Sequence, residues 1–169
     1  VIGLFFESSI TGAVVGIPGE VGLPNESFDI AAGCGRTEAC SCGDHVTYNY
    51  NFSADITNCA NNGLVINGSN IVIDCKGFSL TAAAGNSDSG FYNRGNDSVT
   101  IKNCVIKEYQ NGIEYLAGAE NGTIDNNTIE TSGSGSGTDI DTSFYNNITN
   151  NMLNQTNGTP NGLNAGINL

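Results

Sequence analysis

The chain has 169 residues, seventeen of them Asp or Glu and only five Lys or Arg, for a formal net charge of -12. That length suits one domain, and the five cations are too scattered to track a phosphate backbone, which argues against nucleic acid as a partner. The negative charge disfavours anionic polysaccharide unless cations bridge it, and it keeps a crowded surface protein in solution.

Residues 1–24 differ from the rest. Ile2, Leu4, Phe6, Ile10 and Val14 alternate with Gly3, Phe5, Ser9 and Ala13, the pattern of an extended strand with one apolar face. The segment has no Met, no basic leader and no long apolar core, so it reads neither as an intact signal peptide nor as a membrane span. The expectation is that a signal has already been removed. Pro18, Gly19, Gly22 and Pro24 then form a hinge-like linker to the body.

Residues 25–62 form a disulfide-rich lead-in and a first coil. Five of the six cysteines, Cys34, Cys40, Cys42, Cys59 and Cys75, precede the middle of the chain, and Cys104 follows. No C-x-x-C spacing points to a metal, while an even number points to disulfides and an oxidising compartment. His45, the single histidine, stands beside Asp44 and reads as a capping or hydrogen-bonding residue in preference to a catalytic base.

Residues 63–169 repeat. A first theme opens at Gly63-Leu64-Val65-Ile66, Gly90-Phe91-Tyr92-Asn93, Gly112-Ile113-Glu114-Tyr115, Asp139-Ile140-Asp141-Thr142 and Gly162-Leu163-Asn164-Ala165, at steps of 27, 22, 27 and 23 residues. A second theme follows most of them: Ile73-Asp74-Cys75, Ile101-Lys102-Asn103-Cys104-Val105-Ile106, Ile124-Asp125-Asn126-Asn127-Thr128-Ile129 and Ile148-Thr149-Asn150-Asn151-Met152-Leu153. Units this short must bury their apolar faces against one another, as in a solenoid. Alternating apolar residues between Gly, Asn, Asp and Ser predict two short strands per repeat. Aligned, Leu64, Phe91, Ile113, Ile140 and Leu163 form an inward column, and Val65, Tyr92, Glu114, Asp141 and Asn164 face outward.

The run Cys42-Gly43-Asp44-His45-Val46, Asp55-Ile56-Thr57-Asn58-Cys59, Gly63-Leu64-Val65-Ile66 and Asn70-Ile71-Val72-Ile73-Asp74-Cys75-Lys76-Gly77 resembles the opening coils of microbial surface β-helix proteins. Those proteins, archaeal or bacterial, are relatives of the pectate-lyase-like and sugar-hydrolase-associated β-helices. The resemblance covers residues 42–169 and implies an all-β, right-handed parallel β-helix of about five to six coils. It does not choose among lyases, hydrolases, adhesins and structural proteins, all of which use this architecture.

Six cysteines allow fifteen connectivities; stacked coils place Cys75 and Cys104 at nearly equivalent positions about 4.8 Å apart, within reach of a disulfide, and Cys42–Cys59 with Cys34–Cys40 is the expected pairing of the other four. Asparagine supplies 25 residues, and nine sequons begin at Asn25, Asn51, Asn67, Asn96, Asn121, Asn126, Asn147, Asn154 and Asn157, about twice a random expectation. All but Asn126 are candidate N-glycan sites. Asn103, Asn126 and Asn150 recur at one turn and predict an inward amide ladder. The Gly-Ser run within residues 131–137 reads as a flexible projecting loop.

For chemistry, the best constellation is Glu114 and Asp141 stacked on adjacent coils with Asp139 at the edge, a geometry open to a retaining glycosidase pair or a calcium site. No basic residue stands in register to serve a lyase; Arg94 and Lys107 are nearest in sequence. Tyr92, Tyr109 and Tyr115 suggest a sugar platform, but Tyr115 has inward parity and belongs to the core. The pattern predicts no catalytic residue, no metal site and no cofactor; the acids read as solvated surface.

The last residues, 161–169, run as a strand pattern, so the final coil is expected to be uncapped. An apolar strand at one end and an open coil at the other predict head-to-tail self-association into a homopolymer. The sequence therefore predicts an extracellular structural subunit of a filament or surface layer. The competing class is a carbohydrate-binding or carbohydrate-active β-helix.

Overall fold

The computed structural model describes residues 33–132, 135–156 and 167–168. The candidate donor strand, Ile2, Leu4, Phe6, Ile10 and Val14, and the sequons at Asn25 and Asn157 lie outside the described residues, as do Leu163 and Asn164. What is described is all-β and every strand pairing is parallel. The first coil comprises β1 (His45–Val46), β2 (Tyr50–Asn51) and β3 (Ile56–Cys59), and the second β4 (Leu64–Ile66), β5 (Val72–Asp74) and β6 (Ser79–Ala82). The third comprises β7 (Ser89–Arg94), β8 (Thr100–Lys102) and β9 (Val105–Lys107). The fourth comprises β10 (Asn111–Leu116), β11 (Thr123–Asp125) and β12 (Thr128–Ser132). The fifth comprises β13 (Thr138–Asp141), β14 (Asn147–Thr149) and β15 (Met152–Thr156), and β16 (Ile167–Asn168) adds a further strand.

Each coil gives one strand to each of three sheets, ordered β1-β4-β7-β10-β13-β16, β2-β5-β8-β11-β14 and β3-β6-β9-β12-β15. The chain is thus a parallel β-helix, with three strands per coil where the repeat pattern predicts two. The second theme is itself bent. In Ile101-Lys102-Asn103-Cys104-Val105-Ile106 the chain turns at Asn103, whose φ of 56° lies in the left-handed region that Asn tolerates, and Asn126 and Asn150 turn the next coils at 53° and 55°.

Alternation sends every second side chain into a narrow core. Tyr50, Ile73, Ile101, Ile124 and Ile148 stack in the second sheet, and Leu80, Ile106, Ile129 and Leu153 in the third. In the first sheet the columns are Val46, Ile66, Asn93, Tyr115, Ile140 and Leu64, Phe91, Ile113, Thr138. The predicted alignment of Ile140 with Ile113 is therefore wrong by two residues. Gly137, not Asp139, continues the column of Gly63, Gly90 and Gly112.

That glycine column explains the register. A Cβ on Gly90 would lie 2.6 Å from the Gly112 carbonyl oxygen and 2.7 Å from Ile106 Cγ2, and one on Gly137 would lie 2.8 Å from Leu153 Cδ2. Contacts this close leave no room for a side chain, so the aliphatic column of the third sheet fills the space at the start of the first. The Gly-Ser run obeys the same constraint. Gly135, Ser136 and Gly137 are buried, Ser136 N–H donates to Asn111 Oδ1 at 2.9 Å, and Gly112 N–H donates to the Ser136 carbonyl at 3.0 Å. The described part of this run is packed between coils and does not project.

There are three disulfides, Cys34–Cys40 in the lead-in, Cys42–Cys59 across the first coil, and Cys75–Cys104 between the second and third coils with Cα atoms 4.7 Å apart. These are the expected pairs, and they fit an oxidising, extracellular-type environment. Among the described residues no helix is long and apolar enough to cross a membrane.

Candidate functional site

The carboxylates come together differently from the sequence expectation. Glu114 pairs in register with Asp139, and Asp141 pairs with Leu116. The two-residue correction set by Gly137 removes Asp141 from the stack and puts Asp139 in its place. The outward column then runs Val65, Tyr92, Glu114, Asp139. Glu114 Oε1 accepts a hydrogen bond from Asn111 Nδ2 on its own strand, which holds the carboxylate against the sheet. Arg94 stands in the neighbouring column, level with Leu116 and Asp141. Lys107 is on the third sheet, paired with Glu130 at 3.7 Å. Among the described residues no group of three or more His, Cys, Asp or Glu side chains is placed to share a cation.

Of the three candidate tyrosines, Tyr109 and Tyr115 are fully buried and Tyr92 is partly exposed. Burial pushes both buried phenols well above the usual tyrosine range. Tyr115 donates to the Val99 carbonyl at 2.9 Å, whereas the Tyr109 hydroxyl has no partner among the described residues. Both are core, which leaves Tyr92 as the one surface aromatic of the three. His45 starts β1, in register with Val65.

A polar lattice runs along the corner between the second and third sheets. Asn126 Nδ2 donates to Asn103 Oδ1 at 2.8 Å, and Asn103 Nδ2 donates to Asp74 Oδ1 at 2.9 Å. Asn150 Nδ2 and Thr149 Oγ1 both donate to Asp125 Oδ1. The predicted amide ladder is thus real but lies on the outer corner and ends on carboxylates. The left-handed turn points these amides outward, and the next residue points inward. The inward ladder is Asn127 and Asn151: Asn127 Oδ1 accepts from Cys104 N–H at 2.9 Å, and Asn127 Nδ2 donates to the Ile101 carbonyl and to Asn151 Oδ1, both at 3.0 Å.

The lattice shifts its acids. Burial works to raise the Asp74 carboxyl, but Asn103, the Lys76 N–H and the Lys102 ammonium, 3.6 Å away, together hold it below the usual range. Asp125 is lowered by Thr149 and then Asn150, and Asp55 by the Ser79 N–H.

The sequons separate by geometry. Asn96 Nδ2 donates to the Ile66 carbonyl at 2.9 Å, and Asn126 Nδ2 is committed to Asn103, so both amide nitrogens already serve the fold. Asn51, Asn67, Asn121, Asn147 and Asn154 are exposed. The sequence distinguished Asn126 by its repeat position but gave no signal for Asn96.

A scan against protein-family models, a search of curated proteins and a search of solved structures each returned no match.

Proposed function

We propose that this chain is an extracellular structural subunit of a filament or surface layer, related to the microbial β-helix surface proteins it resembles. The observation that carries this reading is where the outward polar groups go. Asp74, Asn103, Asn126, Asp125, Thr149 and Asn150 bond from coil to coil, so the exterior reinforces the solenoid axis. The three disulfides favour the same role, because each restricts the unfolded chain and Cys75–Cys104 joins two adjacent coils. N-glycans belong on the exposed sequons and would cover the surface between contacts.

Assembly runs head to tail. In this reading residues 1–17, whose sequence alternates like a strand, add to a sheet edge of a neighbouring subunit, giving main-chain hydrogen bonds and apolar burial at about 1.5 to 3 kcal/mol per large side chain. The test is a chain starting at Leu23 compared with the full chain by electron microscopy. Loss of filaments on truncation supports donor-strand assembly; filaments of native appearance from the truncated chain refute it.

A second reading, a carbohydrate-active β-helix, is favoured by one observation, the register of Glu114 with Asp139 on adjacent strands. Replacing both by their amides tests it: loss of hydrolysis of a glycan substrate would move the assignment to that class.

A further inference from the structure

A groove of about 370 Å³ near the leading end of the solenoid contains Arg36, Tyr48, Asn49, Ser69 and Asn70. Arg36 sits at the tip of a tight turn closed twice, by paired hydrogen bonds between Gly35 and Glu38 and by the Cys34–Cys40 disulfide. Its φ of 56° is uncommon for a residue other than glycine, and its N–H is fixed on the Asn49 carbonyl at 2.8 Å. Its guanidinium carbon lies 3.9 Å from the centre of the Tyr48 ring. Backbone and side chain are therefore both anchored, which pre-organises the charge.

Stacking occupies the face of a guanidinium and leaves its in-plane N–H donors pointing outward, the arrangement that grips a carboxylate through two parallel hydrogen bonds. Among the described residues no side-chain hydrogen bond uses them. Among the described residues the ion pairs are Lys102–Asp74 and Lys107–Glu130, and Arg36 is in neither. The acid on the neighbouring coil, Asp97, is held elsewhere: its N–H donates to Ser69 Oγ and its Oδ1 accepts from Glu120 N–H, both at 3.0 Å. Around the cation stand hydroxyl-binding groups. Asn49 accepts from Val72 N–H through Oδ1, leaving its Nδ2 to donate, and the Asn70 side chain and Ser69 hydroxyl complete the wall.

We propose that this groove binds a carboxylated sugar, with Arg36 on the carboxylate and Asn49, Ser69 and Asn70 on ring hydroxyls. A net charge of -12 repels a polyanion, so the ligand is a single acidic unit, read at short range where salt screens the rest of the molecule. The site is remote in sequence from Glu114 and Asp139 and does not depend on whether the subunit polymerises.

The test is titration of the isotope-labelled full chain with sodium glucuronate, with glucose and sodium acetate as controls, followed by amide chemical shifts. Glucuronate is expected to shift Arg36, Tyr48, Asn49 and Asn70 and to bind about tenfold more tightly than either control, with Arg36→Ala losing that margin and Arg36→Lys keeping part of it. Glucose binding as tightly as glucuronate, or acetate binding as tightly, overturns the proposal, the second pointing to a simple anion or an acidic peptide. Shifts confined to other residues, or none, also overturn it. If Arg36→Ala fails to fold, the wild-type shift map and the two controls still decide.

Discussion

Ile106 occupies the space that a side chain on Gly90 would need: its Cγ2 lies 2.7 Å from where that Cβ would be. The same relation links Gly63 with Leu80, Gly112 with Ile129 and Gly137 with Leu153. Each of these coils thus closes by fitting an aliphatic side chain of its third strand against the bare backbone at its own start.

Gly90→Ala should therefore be costly although it adds one methyl. The new Cβ meets a backbone carbonyl as well as Ile106, and main chain cannot rotate away. Overpacking of this kind costs about 1 to 3 kcal/mol and more where backbone must move. Urea denaturation is the measurement. Gly77→Ala is the control for conformation, since Gly77 has φ of 87° but nothing within 4 Å of its Cβ position, so it isolates strain from crowding.

Asn127 continues, on the inner side of the corner, the position that Cys104 takes in the preceding coil. Asn127→Ala leaves the buried Cys104 N–H without its partner, and an unsatisfied buried group costs about 1 to 3 kcal/mol. Asn126→Ala, which breaks only an exposed link to Asn103, should cost less than about 1 kcal/mol. Thermal unfolding of the two variants should rank them in that order.

Thr138 takes a core position that Ile113, Phe91 and Leu64 fill with hydrocarbon, and its hydroxyl has no partner among the described residues. Thr138→Val keeps the shape and removes the orphan, so it should raise stability by about 1 kcal/mol. A loss of stability would mean that the hydroxyl is bonded.

Acid should weaken the outer lattice. Asp74 and Asp125 both have lowered pKa values in the fold, so each binds its proton more readily unfolded. Their contribution is present above the unfolded carboxylate range, near pH 4, and is lost as pH falls through the folded values below it. Stability measured from neutral to strongly acid pH should fall in that window. The fall should be shallower in Asp74→Asn and Asp125→Asn, which have no proton to gain.

Composition and periodicity were enough to reach a β-solenoid, because inward Ile73, Ile101 and Ile124 recur with the coil and no other packing buries them all. The Cys75–Cys104 pair was legible for the same reason: stacking makes equivalent positions neighbours. The number of strands per coil was not, since a single left-handed Asn103 turns what reads as one alternating run into two strands. Nor was the partner of Glu114. Apolar residues are interchangeable within a column, so Ile140 aligned plausibly with Ile113, whereas the contact between glycine and the facing aliphatic admits one register only. That constraint is steric and three-dimensional, as is the Arg36–Tyr48 stack, which joins residues whose sequence neighbours carry no shared pattern. The sequence by itself determined the fold class, because burial acts on averages along the chain; the tertiary structure alone decided which side chains meet, because packing acts on single atoms.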